Sequence, residues 1–214
     1  MPVMDMTQEN NTGVKLTKNV IKPVPDQRVI ELMRYQYRAL ERMWTIEANL
    51  FTFPRITGNM TSSFTYQCES IIYDEKLMKM LEEEKFDVGI TEVFDICGLG
   101  IFELINIPAT VSTFAVVHSD LVSESIGEPT MPSFVPAGMS VKGDRMDIVE
   151  RFMNMANVIL GKILFSQTFI REINVFRAKF GAQFKDYNEL IAKSSFIFTN
   201  SNPYLDYPRP TIHK

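Results

Sequence analysis

The sequence predicts an α/β fold, a mostly parallel sheet flanked by helices. Three stretches carry that prediction. Residues 86–114 read as strand, helix, strand within about 30 residues, the length of a βαβ unit. Asp147–Phe180 reads as a long amphipathic helix stopped by Gly181. Ser195–Thr199 is a short apolar run that reads as a last strand. The chain has 214 residues, which suits one domain, and a formal charge of −4, which argues against a nucleic-acid surface. Its 13 Met and 16 Phe read first as core filling and second as lining for an adaptable apolar pocket.

Taken in order, Pro2–Met4 has the look of a strand tail. Val14–Ile21 alternates apolar residues with Lys15, Thr17 and Asn19, the pattern of an edge strand, and Pro23 and Pro25 end it. Asp26 can cap a helix running to about Phe51, with Val29, Met33, Tyr37, Leu40 and Trp44 at helical spacing. Phe53-Pro54 and Gly58 predict a break, followed by a helix over Thr61–Tyr73 and a short one capped by Asp74.

In the central unit, Val88–Ile90 leads to Glu92, and Asp95 offers a helix N-cap. Pro108 stops that helix and Ala109–Phe114 forms the second strand. Glu92 and Asp95 thus fall at the carboxyl edge of the sheet, where open α/β sheets bind ligands. Val116–Lys142, with three prolines, reads as a long loop. The long helix that follows carries an apolar row of Ile148, Phe152, Met155, Ile159 and Ile163. Asp186-Tyr-Asn-Glu189 has the form of a capping box.

Gly98 and Gly100 do not complete a dinucleotide fingerprint, because position 103 is Glu; they read instead as letting the helix pack close to the sheet. Cys68 and Cys97, the only cysteines, read as two buried thiols and make no metal set. Met1–Gly13 is too polar for a signal peptide, and no apolar run reaches the roughly 18 residues of a membrane span. Asn10 and Asn59 open N-glycosylation triplets.

FDVGITEVFDICGLGIFELINIPA, over residues 86–109, resembles the segment of animal UDP-glucuronosyltransferases that holds the dyad acid and ends in E-L-x-x-I-P. Pro132-Ser-Phe-Val-Pro136 with Met139-Ser140, then Asp147–Asn154, Phe198-Thr-Asn-Ser201 and Tyr207-Pro-Arg-Pro210, continue the likeness in order. The resemblance implies the Rossmann-like (GT-B type) amino-terminal, acceptor-binding half of a UDP-glycosyltransferase over residues 1–200, incomplete because its first strand is missing. Residues 201–214 are then a truncated linker to an absent UDP-sugar domain. It also implies an endoplasmic-reticulum, lumenal setting, a role in xenobiotic conjugation, and a small lipophilic acceptor. UDP-glucuronic acid, or another UDP-sugar, is the donor in the full-length family; no cofactor is expected on this chain itself.

The implied chemistry is inverting transfer of glucuronic acid or another hexose. The acceptor hydroxyl needs a base, a histidine suits the task, and a carboxylate behind that histidine fixes its tautomer. Glu92 stands in the acid's place by alignment, where the family more often has Asp; a plain surface acid is its other reading. Asp95 is the fallback, with helix capping as its alternative. Phe114, Phe134 and Met139 are the acceptor-pocket candidates by resemblance, or else side chains that pin the loop to the core. The family's histidine would precede Met1, and neither His118 nor His213 takes its role. The chain alone is therefore expected to be inactive. The alternative is a truncated, non-catalytic product that binds hydrophobic molecules or pairs with a full-length relative.

Overall fold

The computed structural model describes residues 15–17, 19–33, 52–115, 120–138, 140, 142–202, 204 and 206–212. The candidates Met139, Asn10, His118 and His213, and the strand tail at 2–4, lie outside them. The chain divides into two compact units, 1–83 and 84–214.

In the first unit, α1 is helical over 27–33 within the described residues. Asp26 caps it as expected, accepting the Arg28 N–H at 2.8 Å. Arg28 also binds Asp26 and Glu69 through its guanidinium. No strand forms over 15–17 or 19–21, and Leu16 is exposed. Alternation alone makes no strand without a neighbour to pair with. Helix α2 (Thr52–Tyr73) runs through the predicted break. Pro54 stands in its first turn, where no N–H partner is needed, and one interior glycine, Gly58, costs only about 1 kcal/mol. Helix α3 (Glu75–Glu83) starts with Asp74 accepting the Leu77 N–H at 3.0 Å.

The second unit holds the sheet: β1 (Val88–Glu92), β2 (Ala109–Phe114) and β3 (Phe196–Thr199), all parallel, in the order β1-β2-β3. Ile90 stands beside Val111 and Val111 beside Phe196; Glu92 stands beside Thr113 and Thr113 beside Phe198. This is the expected parallel α/β layout. Helix α4 (Cys97–Leu104) crosses from β1 to β2. It stops four residues before Pro108: Asn106 turns left-handed, and Ile107 and Asn106 donate to the Phe102 and Glu103 carbonyls, a Schellman close. The chain returns to β3 through α5 (Asp120–Ile126), α6 (Ile148–Phe180) and α7 (Tyr187–Ala192). Helix α5 corrects the expected loop. The three prolines all follow residue 128, so the stretch before them is free to coil, and Gly127 ends the helix at positive φ.

Helix α6 has the full capping box of Asp147 and Glu150, and Gly181 terminates it. Its apolar row does not form the core. Ile148 is 84% and Phe152 69% exposed, and Met155, Ile159 and Ile163 are exposed as well. The buried residues lie on a neighbouring face instead: Asn154, Val158, Phe169, Glu172, Ile173 and Phe176. The core joins it to Val93, Ile96 and Leu99 around the start of α4, to Leu121 and Val122 of α5, and to Leu190 and Ile191 of α7. A second correction concerns Cys68 and Cys97: both are buried, but they are disulfide-bonded, not thiols.

Candidate functional site at the carboxyl edge

Glu92 ends β1 on the carboxyl edge of the sheet. Its Oε1 accepts the N–H of Ala115, just past β2, at 3.1 Å. The carboxylate thus bridges the ends of two parallel strands while remaining exposed. Val93 N–H donates to the Thr113 carbonyl at 3.1 Å and extends the pairing one residue beyond the strand. The chain then turns through 93–96 into α4. Two glycines let α4 lie close: a Cβ on Gly98 would overlap Thr91 of β1, and one on Gly100 would overlap the ring of Phe176 on α6. The close approach to the sheet expected at both positions is present at Gly98 alone; Gly100 gives room to α6 instead.

Asp95 sits in that turn, half-buried, with Oδ1 accepting the Cys97 N–H at 3.0 Å. It does the work of a cap one residue ahead of the cap position, which Ile96 occupies. Burial pushes its carboxyl above the ordinary value, and the charge of Glu92 adds to the rise. Glu172, which sequence reasoning missed, reaches the same point from α6. Its side chain is fully buried, Oε2 accepts the Ile96 N–H at 2.7 Å, and Oε1 has no hydrogen-bond partner among the described residues. Burial, and then the neighbouring Asp95, push the Glu172 carboxyl well above the usual carboxylate range. The signal was spacing: Glu172 shares the i, i+3, i+4, i+7 row of Phe169, Ile173 and Phe176, a face that buries.

The amino terminus of α4 is the place where a βαβ unit usually receives a phosphate. Here the N–H groups of Ile96 and Cys97 already face carboxyl groups of the protein. The described residues around α4 therefore do not fit a nucleotide, in accord with the failed glycine fingerprint. Among the described residues no cluster of His, Cys, Asp or Glu could hold a metal ion.

The aromatic candidates separate. Phe114 packs against the core. Phe134 is 37% exposed on the 131–137 turn, which Asn154 of α6 holds: Asn154 Nδ2 donates to the Pro132 and Val135 carbonyls, and Oδ1 accepts the Ala137 N–H. Asn59 lies inside α2, where a glycosylation acceptor is usually on a loop. Farther on, Ile212 N–H donates to the buried Glu128 at 2.9 Å, so residues after β3 return to the end of α5.

The chain matches the family model for UDP-glucoronosyl and UDP-glucosyl transferase over residues 4–214. It belongs to this family. Among its relatives are the putative UDP-glucuronosyltransferase ugt-50 of Caenorhabditis elegans, 29% identical over 143 residues, 66% of this chain and 27% of the relative. UDP-glucuronosyltransferase 2C1 of Oryctolagus cuniculus is 27% identical over 145 residues, 68% of this chain and 29% of the relative. UDP-glucuronosyltransferase 2B17 of Homo sapiens is 28% identical over 145 residues, 68% of this chain and 27% of the relative. The matches thus take in under a third of these relatives' length. No solved structure matches the chain. Within the UDP-glycosyltransferase family, the parallel sheet and its helices fit a Rossmann-like GT-B amino-terminal domain that is incomplete. Among the described residues no helix is long and apolar enough to cross a membrane.

Proposed function

We propose that this chain supplies the acceptor side of a UDP-glycosyltransferase that conjugates small lipophilic hydroxyl compounds in the lumen of the endoplasmic reticulum, with residues 1–200 as the acceptor half and the tail as the linker toward a donor domain. Glu92 is the acid of the catalytic pair. Its position carries the reading: a carboxylate on the carboxyl edge, held by one backbone N–H and open on its other side. A histidine base delivered to that edge takes the proton of the acceptor hydroxyl, the acceptor oxygen attacks the anomeric carbon, and UDP leaves with the bonding pair. Glu92 keeps the imidazole in the right tautomer and stabilises the imidazolium. Asp95 is tied to the Cys97 N–H and belongs to the helix start instead. Phe134, on the turn that Asn154 secures, forms part of the acceptor wall, and Met139 is a further candidate for it by family resemblance. Residues 1–214 on their own give no transfer.

The test is transfer from UDP-glucuronic acid or UDP-glucose to a phenol, with this chain joined to a family donor domain and supplied with the family's histidine segment. Turnover that falls by about 100-fold or more in Glu92→Gln supports the assignment, the scale of lost acid–base catalysis. Turnover retained in that variant, or turnover by the isolated chain, overturns it. The exposed apolar row on α6 favours a second reading, a non-catalytic product that pairs with a full-length relative. Co-purification of the two chains, abolished by Phe152→Glu, would support that reading.

A further inference from the structure

Glu172 has no part in the chemistry above, yet it is fully buried, carries an unpartnered oxygen and touches the turn beside Glu92. We propose that Glu172 is the positioning residue of the Glu92 site: reaching from α6, its carboxyl fills the amino terminus of α4 and fixes the 93–96 turn on which the orientation of Glu92 depends. This rests on the reading of Glu92 given above.

The connection is short and continuous. Glu172 Oε2 holds the Ile96 N–H; three residues earlier Val93 N–H holds the Thr113 carbonyl; the residue before that is Glu92, whose Oε1 receives the Ala115 N–H. Both ends of the turn are thus anchored, one to the sheet and one to α6. The Ile96 side chain is buried in the same core as Phe169 and Ile173, which flank Glu172 on its helix, so the carboxyl has no room to swing away. A glutamate costs more to bury here than a leucine would. What it supplies in return is an acceptor for an N–H at a helix start, where the first donors have no partner within the helix. Because burial favours the neutral form of this carboxyl, an amide of the same shape is its nearest replacement.

Amide hydrogen exchange on the full 214-residue chain tests this without any turnover measurement. In Glu172→Gln, the Ile96 and Ala115 amides keep wild-type protection. In Glu172→Asp, one methylene short, both exchange about tenfold faster or more, the effect of losing one buried hydrogen bond. The Ser195 amide, bonded to the Thr110 carbonyl at the other end of the sheet, serves as the unaffected reference. Unchanged Ile96 exchange in Glu172→Asp overturns the proposal, as does loosening confined to Ile96 while Ala115 stays protected, or failure of Gln to restore both. If Glu172→Asp does not fold, the wild-type chain and Glu172→Gln decide it: Ile96 exchanging as fast as an exposed amide in either overturns the proposal. The Glu92→Gln transfer assay fails or succeeds independently, so a wrong function and a wrong positioning role are told apart.

Discussion

Asn154 Oδ1 accepts the N–H of Ala137 at 2.8 Å, with both residues buried. Its amide nitrogen serves two further carbonyls of the same turn, those of Pro132 and Val135. Only the side-chain amides of Asn and Gln pair such an acceptor with two donors on one nitrogen, and Gln is one methylene longer. Asn154→Ala should cost about 3 kcal/mol, because each buried backbone group left unpaired costs about 1–3 kcal/mol. The urea midpoint measures it. Asn154→Asp should behave differently with pH. Its second oxygen would face two carbonyl oxygens, which raises the folded-state pKa of the new carboxyl. A raised carboxyl binds a proton more readily folded than unfolded, so this variant should regain stability as pH falls from 7 toward 4.

Gly100 faces Phe176 with no space for a Cβ, and Phe176 is fully buried. Gly→Ala in a helix normally gains up to about 1 kcal/mol of propensity. Overpacking a rigid core costs about 1–3 kcal/mol. The second effect should win, and Gly100→Ala should unfold at a lower temperature than the parent. Gly58→Ala is the control: nothing lies within 4 Å of its Cβ position, and the same substitution there should raise the melting temperature.

Much of this architecture was legible where the cause is local. Asp186, Asp26 and Asp74 announce helix starts because a side-chain oxygen satisfies an N–H two or three residues on. The βαβ unit showed in its apolar runs, and Glu92 in its place after one of them. What failed depended on contacts distant in sequence. Helix α6 is apolar on two sides, and period alone does not say which side meets the core; the row from Ile148 to Ile163 lost to the one through Phe169 and Phe176. Helix α5 was hidden by prolines that belong to the turns after it. The cysteine bonding state depends on which side chains meet in three dimensions, which spacing does not encode. Glu172 was overlooked as an ordinary helix acid, although its spacing placed it on the buried face.

Glu103 closes α4 to α7 by two ion pairs, to Lys185 at 2.6 Å and Lys193 at 2.7 Å. Burial acts to raise its carboxyl, but the two ammonium groups together outweigh it and hold it below the ordinary value. A lowered folded-state pKa means stability that is present above the unfolded value of about 4.3 and lost as pH falls through the folded one. Because both lysines are solvent-accessible, the gain is modest, about 0.5–1 kcal/mol per pair at most. Glu103→Gln should therefore lower stability by about 1 kcal/mol at pH 7, and the difference should shrink in acid and in high salt. Denaturant titrations at pH 7 and pH 3 measure it.

Glu172 predicts the opposite pH dependence. Its folded-state pKa is raised, first by burial and then by Asp95, whose own carboxyl feels Glu92. Above the unfolded value of about 4.3 the unfolded chain has released this proton while the folded chain still holds it. Stability then falls as pH rises, by up to about 1.4 kcal/mol per pH unit for one group, until the folded pKa is passed. Glutamine carries no such proton. The wild type should therefore lose stability relative to Glu172→Gln on going from pH 5 to pH 8, and the two should converge in acid, where both side chains are neutral. Asp95 complicates the slope but not its sign, since its raised carboxyl is present in both proteins. Urea unfolding of the two chains across that range supplies the measurement; parallel curves would mean that Glu172 is ionised in the fold, and the neutral-acid description of the α4 amino terminus would be wrong.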